Sequence, residues 1–155
     1  MARHARDYAA AETIFEKMHR DSPADRFAAA NLALVLAESA DTTKQRRAVE
    51  LAENLVRQDQ RQADGYAVLG WCYYKAGRLD DAFKALSTAA SSGTVERDTA
   101  YYLAKVLADK NRPDDARKLL QDALTAPGAF VNKANAEAFL ADLNKKFPPK
   151  SDEKP

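Results

Sequence analysis

A block of residues recurs in this chain at a fixed distance of 34. Asp80-Asp81-Ala82 returns as Asp114-Asp115-Ala116, Leu69 as Leu103, Leu86 as Leu120 and Ala89 as Ala123. A period of this size marks a stacked repeat, in which each unit buries its apolar face on its neighbours instead of in one central core. It limits the architecture before any residue is asked about chemistry.

Apolar residues fall at helical spacing almost throughout, and nothing alternates as a strand does. Only five Gly and six Pro punctuate the 155 residues. The pattern predicts eight helices, at 5–20, 23–38, 44–58, 63–76, 79–90, 95–110, 113–126 and 133–146. Gly77 is placed to end the fourth in a left-handed turn, and Asn111 ends the sixth. Pro113 opens the seventh, and Asp80 and Asp81 complement the dipole of the fifth. Connections this short force neighbouring helices to run antiparallel. The tail at 148–155 has prolines and charges without pattern and is expected to be disordered.

Counted from Ala63, the repeat carries Tyr66 at its fourth position, Leu69-Gly70 at the seventh and eighth and Tyr73 at the eleventh. Gly77 closes the first helix, and Ala82, Leu86 and Ala89 hold the twentieth, twenty-fourth and twenty-seventh positions. This pattern resembles the tetratricopeptide repeat, a unit made of a helix A, a turn and a helix B. Its small residues let paired helices approach, and its large ones fill the space left. A second copy from Arg97 has Ala100, Leu103, Ala104, Leu107, Ala116, Leu120 and Ala123. A third, from Arg26, aligns through Leu32, Ala33 and Leu36, then through Ala48, Ala52 and Leu55. Its halves fit only with three extra residues within 39–47, expected to lengthen the loop. Residues 5–22 resemble a lone helix B through Ala11, Phe15, Met18 and Pro23, as in a chain cut from a longer array. Residues 133–146 resemble a terminal capping helix. The resemblance implies an all-α, right-handed α-solenoid of antiparallel helix pairs over residues 1–147, with repeats from 26, 63 and 97.

Chemistry is scarce. His4 and His19 lie fifteen residues apart, about 22 Å along one helix, so they cannot share a metal ion. Cys72 sits inside the strongest repeat with no histidine near it in sequence, and reads as a small buried apolar residue. The aspartate pairs each open a helix. No cofactor and no enzymatic activity are expected. Lys plus Arg is 24 and Asp plus Glu is 23, so bulk charge gives no reason to seek nucleic acid or an anionic membrane. No apolar run reaches the length of a membrane span. A single cysteine fits a reducing compartment and favours the cytoplasm.

The resemblance also implies where a partner binds. In this family the second, fifth, sixth, ninth, twelfth and thirteenth positions of helix A face a concave groove. These places hold Phe27, Ala30, Asn31 and Leu34, then Asp64, Ala67, Val68, Trp71, Tyr74 and Lys75, then Asp98, Tyr101, Tyr102, Lys105 and Ala108. Some family members clamp acidic C-termini with Lys and Asn at the fifth and ninth positions. Here those places hold Ala30 and Leu34, then Ala67 and Trp71, so the clamp is absent. Aromatic residues are enriched at binding hot spots. The expected peptide-contacting set is therefore Asn31, Trp71, Tyr74, Lys75, Tyr101, Tyr102 and Lys105. Tyr74 and Tyr101 are expected to be exposed. Trp71 either lines the groove or packs between neighbouring A helices. The reading is a non-catalytic module binding a protein or peptide segment. The alternative is a scaffold segment of a longer array, self-associating through the N-terminal helix.

Overall fold

The computed structural model describes residues 2–91, 93 and 95–148, with side chains from residue 7 on. The tail expected to be disordered lies outside the described residues except Pro148, and the side chain of His4 also lies outside them. Among the described residues there are eight helices and no strand, the all-α solenoid class. They are α1 (Ala2–Asp21), α2 (Arg26–Ala37), α3 (Thr42–Gln58), α4 (Ala63–Lys75), α5 (Leu79–Ser91), α6 (Arg97–Asp109), α7 (Pro113–Thr125) and α8 (Lys133–Lys146). The chain forms two compact units, Met1–Ser92 and Gly93–Pro155.

In the first unit each helix packs on the next, and α2 also packs on α4. Its core joins Leu32, Leu36, Leu55, Leu69 and Cys72 with the alanines between them. Each fully buried leucine contributes roughly 1.5–3 kcal/mol relative to exposure. Repeat size-matching fixes the helix pairs. A Cβ built on Gly70 would lie 2.5 Å from Leu86 Cγ, so glycine is what lets α4 approach α5. In the repeat from Arg26 the corresponding residues are Ala33 and Ala52, both fully buried.

The A–B turn is copied with the period. Gly77 (φ 77°) and Asn111 (φ 58°) both adopt the left-handed conformation. Arg78 N donates to Tyr73 O at 2.8 Å and Arg112 N to Leu107 O at 2.9 Å, which closes both helices with a Schellman motif. Arg78 Nε then bonds Asp81 at 2.9 Å, and Arg112 Nε bonds Asp115 at 2.7 Å. The second aspartate of each pair thus holds an arginine as well as complementing a dipole.

Several boundaries differ from expectation, and α1 starts at Ala2, three residues early. α2 starts at Arg26 because Asp25, not Pro23, caps it, accepting from the Phe27 and Ala28 amides. α6 starts at Arg97, two residues later than the pattern suggests. The three extra residues of the first full repeat do not lengthen its loop. Thr42, Thr43 and Lys44 form an added turn at the start of α3, behind the N-cap Asp41, so α3 has 17 residues where α5 and α7 have 13.

That turn has a use. Lys44 Nζ bonds Glu12 of α1 at 2.6 and 2.8 Å, and one turn along, Arg47 pairs in fork geometry with Glu16. The Arg47 hydrogen bond holds the Glu16 carboxyl below the usual range. No described side chain of α1 is fully buried, although Phe15 packs on the core. These two ion pairs supplement the apolar packing of α1 on α2.

In the second unit α6 packs on α7 and α7 on α8. Asp98 on α6 accepts from the amides of Val131 and Asn132 and from Asn132 Nδ2, which fixes the start of α8. Arg117, 8% exposed, fixes its end by donating to Asn144 Oδ1 at 2.8 Å and to the Phe147 carbonyl.

Candidate interaction surface

Helices α2 and α4 are the A helices of consecutive repeats and lie side by side in the first unit. The long side chains on α4 that its own repeat does not use lean over the end of α2. Trp71 is 7% exposed, and its indole N–H donates to Glu38 Oε1 at 2.8 Å. Lys75 Nζ bonds the other oxygen, Oε2, at 2.9 Å. The same ammonium lies 5.6 Å from the centre of the Trp71 ring, and Tyr74 stacks on that ring with centroids 5.2 Å apart. Glu38 is the C-cap of α2, where a negative charge meets the negative end of the helix dipole. Lys75 offsets that repulsion.

The cluster is thus a ledge of two layered aromatic rings edged by a half-buried ion pair. Of the two readings of Trp71, burial between A helices holds. Tyr74 and Lys75 are half-buried. Asn31, also half-buried, donates from Nδ2 to the Phe27 carbonyl of its own helix at 2.9 Å. Phe27 stands 63% exposed, edge-on to Phe15 of α1 with centroids 6.2 Å apart.

Tyr101, Tyr102 and Lys105 belong to the second unit. Tyr101 is 8% exposed, which corrects the expectation that it is open to solvent: an aromatic at a groove position of helix A is also at a packing position whenever a neighbour covers it. Tyr102 Oη accepts from Asn132 Nδ2 at 3.4 Å. Lys105 Nζ lies 4.2 Å from the centre of the Phe139 ring on α8. Asp98 is taken up in fixing the start of α8.

Glu38 is the residue of this cluster that sequence reasoning missed. It holds the thirteenth position of the repeat from Arg26, the place Lys75 holds in the next. Carrying the groove register one turn past Leu34 reaches it.

Two further titratable groups are shifted by burial. Cys72 is 1% exposed, with its Sγ 3.8 Å from the Ala33 carbonyl. Burial, reinforced by the charge of Glu38, pushes its thiol far above the ordinary value, so it stays protonated and unreactive. Tyr73 donates to Glu53 at 2.9 Å, and burial followed by that bond raises its phenol. Among the described residues no group of three or more His, Cys, Asp or Glu is placed to hold a metal ion. No helix among them is long and apolar enough to cross a membrane.

The family described as anaphase-promoting complex, cyclosome, subunit 3 matches residues 41–123, more than half of the chain. No curated protein matches it. Among solved structures it is similar to TTC0263, a thermophilic tetratricopeptide-repeat protein of Thermus thermophilus. That likeness has a TM-score of 0.76 and 23% identity over 95% of this chain and 78% of that one. YrrB, a tetratricopeptide-repeat protein with an unusual peptide-binding site, aligns with a TM-score of 0.60 and 21% identity, covering 85% of this chain and 65% of its own. The Yersinia enterocolitica type III secretion chaperone SycD, in complex with a peptide of the translocator YopD, aligns with a TM-score of 0.57 and 20% identity, covering 74% and 91%. At these identities the likeness is one of fold.

Proposed function

The chain belongs to the anaphase-promoting complex, cyclosome, subunit 3 family of tetratricopeptide-type repeats, and from that premise we propose that it binds a peptide segment on the face of its A helices without catalysing a reaction. It is a protein-interaction repeat module; the peptide and its site are the proposal. The observation that carries it is the ledge formed by Trp71, Tyr74, Lys75 and Glu38. Two of the structurally similar proteins are described with a peptide or a peptide-binding site, which supports the choice of ligand class.

On this reading Tyr74 and Asn31 contact the peptide, and the buried Trp71 sets the position of the Tyr74 ring from beneath. Lys75 has three N–H donors and spends one on Glu38, so it favours a ligand carboxylate at a free C-terminus or an acidic side chain. Tyr102 and Lys105 are proposed as a separate contact in the second unit, with Tyr101 as their buried support.

The test begins with a random peptide library displayed against the full chain. Trp71 is the only tryptophan, so its emission reports binding at the ledge directly. Tyr74→Ala and Lys75→Ala should each weaken the selected peptide at least tenfold, roughly 1.4 kcal/mol, with the helical spectrum intact. An empty selection, or peptides that bind both variants as tightly as the parent, would overturn the proposal.

A further inference from the structure

We infer that the first unit has a second binding site, a recess between α3 and α4 that takes an acidic side chain of a protein partner. The recess shares no residue with the ledge, and its use does not depend on a peptide binding there.

The recess has a volume of about 250 Å³ and is lined by Thr42, Gln45, Arg46, Val49, Ala76 and Arg78. Its walls are the start of α3 and the turn that follows α4. α3 packs on both α2 and α4, and α4 on both α3 and α5, so both walls belong to interior helices. The floor is apolar: Val49 is 7% exposed and Ala76 is half-buried. The rim carries two guanidinium groups, and no carboxylate lines it.

Packing does not call for those arginines, as the preceding junction demonstrates. Gln45, Arg46 and Val49 stand three before, two before and one after the twentieth position of their repeat. Tyr8, Ala9 and Glu12 stand in the same places around Ala11, and Ser39 matches Ala76. Those four also line one recess, together with Val35, Glu38 and Lys44. One junction is thus lined by two carboxylates and a lysine, the other by two arginines alone. The same register is built with either sign of charge, so the sign is free to serve recognition.

The donors of the recess are unspent. The Arg46 guanidinium is exposed and has no partner among the described residues. Arg78 gives its Nε–H to Asp81, which leaves its terminal N–H groups. The two carboxylates whose charge acts on Arg78 are Asp81 and Glu53, and Glu53 is engaged by Tyr73. Gln45 spends one amide N–H on the Ser39 carbonyl at 2.8 Å and keeps the other. Thr42 adds a hydroxyl from the extra turn of α3, at the positive end of that helix.

A glutamate side chain has the matching form. Its methylenes lie on Val49 and Ala76, and its carboxylate accepts from guanidinium groups in fork geometry. A bare phosphate has the charge but nothing to lay on the apolar floor.

Exposed ion pairs are individually weak and screened by salt, so amide NMR spectra of the full chain at low ionic strength test this. The probes are a blocked octapeptide of glutamate, the same peptide of glutamine, and inorganic phosphate. The glutamate peptide should give saturable shifts at Thr42, Arg46, Val49 and Ala76, and the glutamine peptide none. Arg46→Gln should keep the helical spectrum and weaken that binding at least tenfold. Lys75→Ala should leave it unchanged, which separates the recess from the ledge. Shifts confined to Trp71 and Tyr74 would overturn the inference, as would undiminished binding to Arg46→Gln or loss of it in Lys75→Ala. So would equal binding of the glutamine peptide, or phosphate that saturates the recess more tightly than the glutamate peptide does.

Discussion

Trp71 and Glu38 join two neighbouring A helices through one hydrogen bond, from the indole Nε1–H to Oε1 at 2.8 Å. The second carboxylate oxygen is held by Lys75, so one side chain fixes both the ring and the charge beside it. Glu38→Ala removes the acceptor of both bonds. It should cost about 1–3 kcal/mol and shift the emission of the single tryptophan. Glu38→Gln, which keeps an acceptor for the indole, should cost less. Urea denaturation with fluorescence detection measures both. An unchanged midpoint for the alanine variant would show that the bond is incidental.

A methyl group on Gly70 collides with Leu86. Gly70→Ala should therefore cost roughly 1–3 kcal/mol through overpacking, as should Ala82→Leu, whose site is fully buried. Leu86→Ala alone should cost about 2–5 kcal/mol. Combined, Gly70→Ala and Leu86→Ala recreate the Ala33–Ala52 pair of the preceding repeat. The double variant should be more stable than the sum of the single losses implies. Strict additivity of the denaturation midpoints would argue against direct contact.

The turn residues permit a cleaner measurement. A Cβ on Gly77 would meet nothing within 4 Å, so the cost of Gly77→Ala is purely that of its left-handed backbone, about 1–2 kcal/mol. Asn111 occupies the same conformation at φ 58° and tolerates it better than alanine does. Asn111→Gly should be nearly neutral, and Asn111→Val should destabilise. Thermal melts of the three variants give the ranking directly.

The attachment of α1 should depend on pH and salt. The folded-state pKa of Glu16 is lowered, first by its hydrogen bond to Arg47. Its contribution is therefore present above the unfolded carboxylate pKa and is lost as pH falls through the lower folded value. Arg47 is 46% exposed and Glu16 24%, so solvent screening limits the pair to about 1 kcal/mol or less. Acid should lower the amide protection factors of α1, each taken against the intrinsic exchange rate at that pH, before it lowers those of α4, and high salt at neutral pH should act in the same direction. Equal protection of the two helices across that range would refute the ionic attachment.

The repeat period was legible because it is written in residue size: Gly70 against Leu86 and Ala104 against Leu120 identify the helix pairs without any long-range information. Asn111 could be aligned with Gly77 for the same reason. What the sequence hid depends on neighbours. The exposure of Tyr101 turns on what covers α6, which helical spacing does not report. The three-residue insertion could enter a loop or a helix, and Asp41 decided the matter by capping at a point that leaves Thr42, Thr43 and Lys44 inside α3. The start of α2 moved for the same reason, through Asp25. Glu38 was overlooked because a carboxylate at a helix C-terminus has no merit until Lys75 and Trp71 lie against it.

The turn built from Gly77, Arg78 and Asp81, and its copy at Asn111, Arg112 and Asp115, has a kinetic consequence. The bonds that close each turn join residues within five positions in sequence, so either turn is able to form before any distant part of the chain has arrived. Little loop-closure entropy stands in the way. The chain thus carries two local seeds of nearly equal quality, and folding has no obligatory starting point. Mutations at one seed should divert refolding through the other more than they slow it.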